Sequence, residues 1–402
     1  MDHLFIARQP IYNRDQGVMG YELLYRNNSR NYADISDGDL ASCETILNTF
    51  MHIGIDNLAG SALAFINLPR EFIVNADLTP MFNEQAVLEI LEDIKPDEEV
   101  INGIKRLKDE GYQIALDDFV FKEEFIPFVE LADYIKIDIH ALSRYEVIRQ
   151  FEQCKQYDAR LIAEKIETHE LYQFCYELGF DFFQGYFFCY PEMLKKKSLP
   201  SNKLVILKLI SKLQNPEIES SELEEILVQD ITLSYKLLRY INSASFGLRR
   251  EVDSIKDAIV LLGINNLKNW VSLIMMSQIT DSKPTELIIT GMIRGKMCEL
   301  LAQKHHPDVA HQMFIIGLFS VLDALMDQPL IDLLDTVILS TDIKLALLDY
   351  AGNQGEIYKY VLQYEKSNWN DLNESNINAE EFIQSYLTAV NWADESMKSL
   401  ID

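Results

Sequence analysis

Glu22, Asn67, Glu89, Asp117 with Asp118, Lys136 with Asp138, Glu164 and Gln184 share one property. Each stands at or near the C-terminal end of a short, apolar, β-rich run. A single acid in such a place is commonly a helix N-cap or a surface group. Seven runs ending this way bring carboxylates, amides and an ammonium to one mouth if the runs lie side by side. Carboxylates so crowded repel one another unless cations neutralise them. Hard divalent ions such as Mg²⁺ or Mn²⁺ prefer oxygen ligands of this kind. Two ions held together clamp a phosphodiester, activate a water and stabilise the leaving oxygen. Lys136 would offset charge on a phosphate oxygen or on the attacking hydroxide.

The elements that must position these groups follow from the rhythm of the chain. The runs are HLFIAR (3–8), GYELLYR (20–26), LAFINL (63–68), VLEIL (87–91), QIALDD (113–118), DYIKID (133–138), RLIAEK (160–165) and DFFQGYFF (181–188). Between them lie stretches with apolar residues three and four apart, at 39–51, 98–110 and 142–157. Gly111 and Gly179 stand where helices would end. This alternation predicts an α/β fold, a (β/α)8 barrel or a large doubly wound sheet. Only NRDQG joins the first two runs, so they are expected to form a hairpin.

After KKKSLPSNK (195–203), a Pro- and Lys-containing linker, the strand rhythm stops. Ser221 and Glu224 form a capping-box pattern. Helical periodicity follows through 231–242, 254–262, 265–279 and 286–305 to the C-terminus. We therefore divide the chain into 1–194, a barrel; 195–203, a linker; and 204–402, an all-helical domain.

With 36 Lys and Arg against 63 Asp and Glu, the 402-residue chain carries a formal net charge of -27. Such a surface repels a phosphate backbone, which argues against direct nucleic-acid binding. Five cysteines without metal-ligand spacing read as reduced thiols. The N-terminus lacks a basic-then-apolar signal pattern, and the longest apolar stretch, 313–322, is too short to span a bilayer. The expectation is a cytoplasmic protein with no membrane span.

The strings themselves resemble the EAL domain, the family that hydrolyses cyclic di-GMP. RQPI at 8–11 and ELLYR at 22–26 are similar to its opening strand and its ExLxR signature. Asn67, Glu89 with Glu92, DDF at 117–119, Lys136 with Asp138, the AE-x-x-E of 163–167 and the QG of 184–185 follow in order. The resemblance implies an EAL-type barrel with an antiparallel strand near its start. It implies that Glu22, Asn67, Glu89 and Asp117 ligate metal, with Asp118 at a second ion. Glu164 would be ligand or base near the metal-bound water, and Lys136 would position that water. Gln9, Arg26 and Gln184 would contact the dinucleotide, with Glu92, Asp138 and Glu167 in support. Two departures stand out. The family continues DDF with a Gly/Ser-rich loop where this chain reads VFKEEF (120–125), and Val120 and Phe121 adopt glycine's positive φ only at a cost. Lys165 replaces the Gly of the family's AEGVE.

Residues 230–247 and 254–263 resemble the HDOD domain, a helical relative of the HD phosphohydrolases. In the corresponding turn, 317–322, Ser320 and Val321 stand where those enzymes carry metal-binding His and Asp. His305, His306 and His311 have no accompanying acid pattern. The resemblance implies cyclic di-GMP hydrolysis by metal-activated water, using Mg²⁺ or Mn²⁺ and two ions, with a protein partner for the helical half and a homodimer through the barrel. The alternative is a degenerate EAL receptor or scaffold that binds cyclic di-GMP or protein partners and signals through the HDOD half.

Overall fold

The structure is a computed structural model. It describes residues 4–27, 54–75, 85–189, 231–242, 254–277, 283–337, 339–368 and 375–401, with single positions or short pieces at 206, 210, 213, 218, 222–224, 227, 252 and 372. The expected helix at 39–51, the linker at 195–203 and positions 243–247 lie outside these residues. The chain divides into two compact units, Met1–Phe188 and Cys189–Asp402.

Eight strands close into a barrel in the order β1 to β8: Leu4–Asn13, Val18–Asn27, Leu63–Leu68, Ala86–Ile90, Gln113–Leu116, Tyr134–Asp138, Arg160–Glu164 and Phe182–Gln184. β1 runs antiparallel to both β2 and β8, and β2 through β8 are parallel. The short β1–β2 connection is therefore the hairpin expected from its length. β1 runs beyond the predicted run because Pro10 does not end it. Pro10 stays paired with Tyr21, and the register shifts only beyond it, between Ile11 and Tyr12.

The crossover helices form where local signals favour them. Glu98–Asp109 starts at Asp97, whose side chain accepts from the Val100 amide. Arg144–Cys154 starts with a reciprocal capping box of Ser143 and Glu146. His169–Leu178 ends at Gly179 with φ 112°, a left-handed stop that suits glycine.

The period of two places the site. Ile11, Phe65, Val87, Ala115, Tyr134, Ile162 and Phe182 form one buried layer across the barrel. Two residues further along each parallel strand, on the same inward face, come Asn67, Glu89, Asp117, Lys136, Glu164 and Gln184. Gln9 holds the equivalent place on antiparallel β1, two residues before Ile11. On β2, Glu22 follows Gly20, where a Cβ would meet Leu63 O at 2.8 Å and the Phe65 ring at 3.0 Å. An apolar plug thus carries a polar layer above it at the C-terminal mouth.

The second unit is helical. Gly263, with φ 74°, breaks the apolar helix Ile255–Ser277 into 255–262 and 264–277, matching the two helices expected there. By length and composition that helix could cross a membrane, but 67% of its apolar window is buried within the structure. Neither piece reaches the roughly 20 residues that a bilayer needs. In the 317–322 turn, Ser320 Oγ donates to Gly317 O at 2.6 Å and accepts from Arg294 Nη1 at 3.0 Å. Arg294 forks onto Glu365 through Nε at 2.6 Å and Nη2 at 2.7 Å. Burial opposes charge on this guanidinium, and Glu365 more than restores it. Glu365→Ala would leave the buried cation unpaired, so we expect a loss of about 3–5 kcal/mol, read from the unfolding midpoint in urea. His305 stands in the last turn of the helix Thr285–His305 and has one acid partner. Glu381, from the last helix, lies 2.6 Å from its Nε2. The His311 side chain is outside the described set.

Candidate active site

Lys136 is the centre of the polar layer. Its side chain is wholly buried, and its Nζ lies 2.7 Å from Glu89 Oε1, 2.8 Å from Asp117 Oδ1, 2.8 Å from Glu164 Oε1 and 3.1 Å from Glu22 Oε2. An ammonium has three N–H groups for these four oxygens. It donates in good geometry to Glu22 and Asp117. Glu89 Oε1, the nearest of the four, makes an ion contact. Burial would lower the ammonium's pKa, but Asp117, Glu164, Glu22 and Glu89 outweigh it and hold Lys136 well above its ordinary value. Burial also drives Glu89 and Glu164 well above the usual carboxylate range, in spite of Lys136.

Glu22 is tied to the barrel's other edge. Gln184 Nε2 reaches Glu22 Oε2 at 2.6 Å and Gln9 Oε1 at 3.1 Å. Gln184 is held in turn by the strand-end turn, where the Ile166 amide donates to Gln184 O and the Phe187 amide to Ile166 O. Gly185 makes this possible. Its φ is 144°, and a Cβ there would lie 2.2 Å from Ile166 O and 2.5 Å from Ile166 N. Backbone cannot yield as a side chain can, so Gly185→Ala is expected to cost about 2–4 kcal/mol. Thermal unfolding of the purified variant checks this.

A second cluster adjoins the first. Asp118 follows Asp117, Asp138 lies two residues after Lys136, and Lys165 follows Glu164. Lys165 Nζ lies 2.9 and 3.0 Å from the two Asp118 oxygens and 2.7 Å from Asp138 Oδ2. Asp138 Oδ1 accepts from the amides of His140 and Ala141. Although partial burial opposes it, this bonding keeps the Asp138 carboxyl below its ordinary pKa. Asp118 and Asp138 are therefore gathered around Lys165, not around Lys136.

The remaining predicted residues sit further out. Glu92 is exposed, with Asp117 and Asp118, along a cleft of about 190 Å³. Glu167 is exposed, 3.9 Å from His140 Nδ1, and contacts neither lysine cluster. Arg26 lies on β2 opposite Phe5, and its side chain is outside the described set.

The altered 120–125 segment is ordered by its own aromatic residues. Phe119 meets the edges of Phe121 and Phe125 with centroids at 6.4 and 6.0 Å, and Phe121 tilts against Tyr157 at 6.1 Å. The Phe121 amide donates to Gln150 Oε1 at 2.6 Å. From 117 to 125 only Asp118 takes a positive φ, 41°, so Val120 and Phe121 escape the strain expected of them.

Several oxygens of the mouth are buried without a hydrogen bond or an ion contact: Asn67 Oδ1, Glu89 Oε2 and Glu164 Oε2. Buried orphan acceptors are rare and call for a positive partner. This all-oxygen set suits a hard divalent ion. Among the described residues, no three His, Cys, Asp or Glu side chains already surround an ion position. The ammonium stands where the carboxylates converge.

An eight-stranded barrel with its first strand reversed and an acidic, lysine-centred mouth belongs to the EAL class, here joined to a helical domain. The chain is a member of the EAL–HDOD family. The EAL-domain profile matches residues 67–191 and the HDOD-domain profile residues 199–326. The chain is 33% identical over 404 residues to the cyclic di-GMP phosphodiesterase CdgJ of Vibrio cholerae, covering 97% of this chain and 92% of that protein. It is 32% identical to the uncharacterized protein YuxH of Bacillus subtilis, covering 98% and 99%. A solved Bacillus subtilis protein, YkuI, with an EAL domain in complex with cyclic di-GMP and calcium, is 20% identical, covering 65% of this chain and 71% of that one with a TM-score of 0.38.

Proposed function

We propose that this chain hydrolyses cyclic di-GMP to the linear dinucleotide. The observation that carries the reading is the convergence of Glu22, Glu89, Asp117 and Glu164 within 3.1 Å of one buried ammonium, with orphan oxygens left over. The full-length likeness to a relative named for this activity supports it. Glu22, Asn67, Glu89, Asp117 and Glu164 would hold Mg²⁺ or Mn²⁺. The ion, when bound, supplies a positive charge for the phosphodiester and an acidified water. Lys136 keeps the carboxylates together and offsets negative charge in the mouth. Glu164 Oε2, buried and unpartnered, takes the proton from the attacking water. Gln9, Arg26 and Gln184 contact the dinucleotide. Gln184, already anchored on Glu22, couples that contact to the reacting centre.

The helical unit would serve a protein partner, and the barrel would pair with a second copy of the chain. The free thiols of Cys154, Cys175, Cys189 and Cys298 fit a reducing compartment such as the cytoplasm.

The deciding experiment incubates the full chain with cyclic di-GMP and Mn²⁺ and resolves the products by chromatography. The linear dinucleotide is expected, and EDTA is expected to abolish it. Calorimetric binding of cyclic di-GMP without any product would replace hydrolysis by the receptor reading.

A further inference from the structure

Lys165 departs from the family at a position that favours glycine, and its backbone shows the consequence. Its φ is 55°, in the left-handed region that side chains adopt at a cost of about 1 kcal/mol or more. Asp118, on the neighbouring loop, also has positive φ, 41°. The two left-handed residues bring their charged ends together. The Lys165 ammonium covers both Asp118 oxygens and Asp138 Oδ2, at 2.7 to 3.0 Å. Asp138 Oδ1 is already committed to two backbone amides. All four oxygens of this acidic pair therefore have donors. The mouth around Lys136 differs, because Glu89, Asn67 and Glu164 retain buried acceptors without one.

We propose that the Lys165 ammonium permanently occupies the second cation position, between Asp118 and Asp138, so that this site takes one divalent ion and not two. The inference rests on the metal-dependent reading above and narrows it. Asp118 and Asp138 then act as the anchor of an internal cation. The charge beside the metal-bound water becomes single, fixed and independent of the ion concentration. A point charge on a flexible stem is an imperfect substitute for a divalent ion, because it offers N–H donors and no open coordination position.

Lys165 is half exposed, 50% by side chain. An exposed ion pair alone is weak, so the test must ask whether Mn²⁺ displaces the ammonium. The full chain, stripped with EDTA, is titrated with Mn²⁺ alone by calorimetry, and paramagnetic resonance reads spin coupling between ions. The wild type is expected to bind one Mn²⁺ per chain, without a coupled pair. Lys165→Gly and Lys165→Met are expected to bind two, with a coupled signal, and Lys165→Arg one. Circular dichroism verifies that each variant is folded. Two ions in the wild type overturn the inference and leave the metal-dependent reading intact. One ion in all four proteins also overturns it, because the ammonium is then not what excludes the second. No ion in any of them removes the metal-dependent reading and this inference together.

Discussion

Glu164→Gln is expected to lower the turnover of cyclic di-GMP by about 10³-fold, with nucleotide affinity changed much less. The substitution keeps the shape of the side chain and its place above Ile162 in the barrel. It removes the charge, and it puts an amide where a proton must be accepted. The reasoning turns on position. Glu164 ends β7, is almost completely buried, touches Lys136 through Oε1 and leaves Oε2 without a partner. Burial raises its pKa well above the ordinary carboxylate range, in spite of Lys136. Single-turnover rates and Mn²⁺ affinity, measured on the same variant, divide its two assigned roles. A slow rate with unchanged Mn²⁺ affinity makes it the base, and a slow rate restored by excess Mn²⁺ makes it chiefly a ligand. Turnover indistinguishable from the wild type would remove Glu164 from the reaction.

Much of this site was legible because strands obey a period of two. Once Phe65, Val87, Ala115, Tyr134, Ile162 and Phe182 point inward, the residues two positions on must do so too. Asn67, Glu89, Asp117, Lys136, Glu164 and Gln184 follow without further information. The hairpin was legible from a connection too short for a helix. The break at Gly263 was legible from glycine itself. What the local pattern could not convey was which charges choose each other. Lys136 reads as a group for phosphate or hydroxide, yet its ammonium is surrounded by four carboxylates from four other strands. Lys165 reads as a lost glycine, and its partners lie 47 and 27 residues away. Glu381 finds His305 from 76 residues away. The VFKEEF segment misleads for a similar reason. Judged against a glycine loop, it seems strained; in place, its aromatic rings pack on Phe119 and Tyr157 and its backbone leans on Gln150, none of which the segment itself contains. Long-range electrostatic and aromatic pairing is set by the closed barrel and has no periodic signature along the chain.

Lys136→Met is expected to destabilise the metal-free barrel by about 3–5 kcal/mol at pH 8, because it leaves buried carboxylates without their cation while keeping most of the volume of the stem. The loss has a predictable pH dependence. Glu89 and Glu164 already have folded pKa values well above the usual range, chiefly through burial, and losing the ammonium drives both higher. A carboxyl whose folded pKa exceeds its unfolded one binds more protons when folded, so stability falls as pH rises. The penalty is absent below the unfolded carboxyl value of about 4.3 and grows as pH climbs through the raised folded values. The variant should therefore lie closest to the wild type near pH 5 and furthest from it at pH 8, in EDTA. Mn²⁺ should act in the same direction as acid. An ion that binds only the folded barrel adds about 2.7 kcal/mol at a hundredfold excess over its dissociation constant, which recovers most of the deficit. Urea unfolding at the two pH values, with and without Mn²⁺, separates charge from packing. An equal deficit under all four conditions would mean that Lys136 supports the barrel through its buried stem alone, with no contribution from its charge.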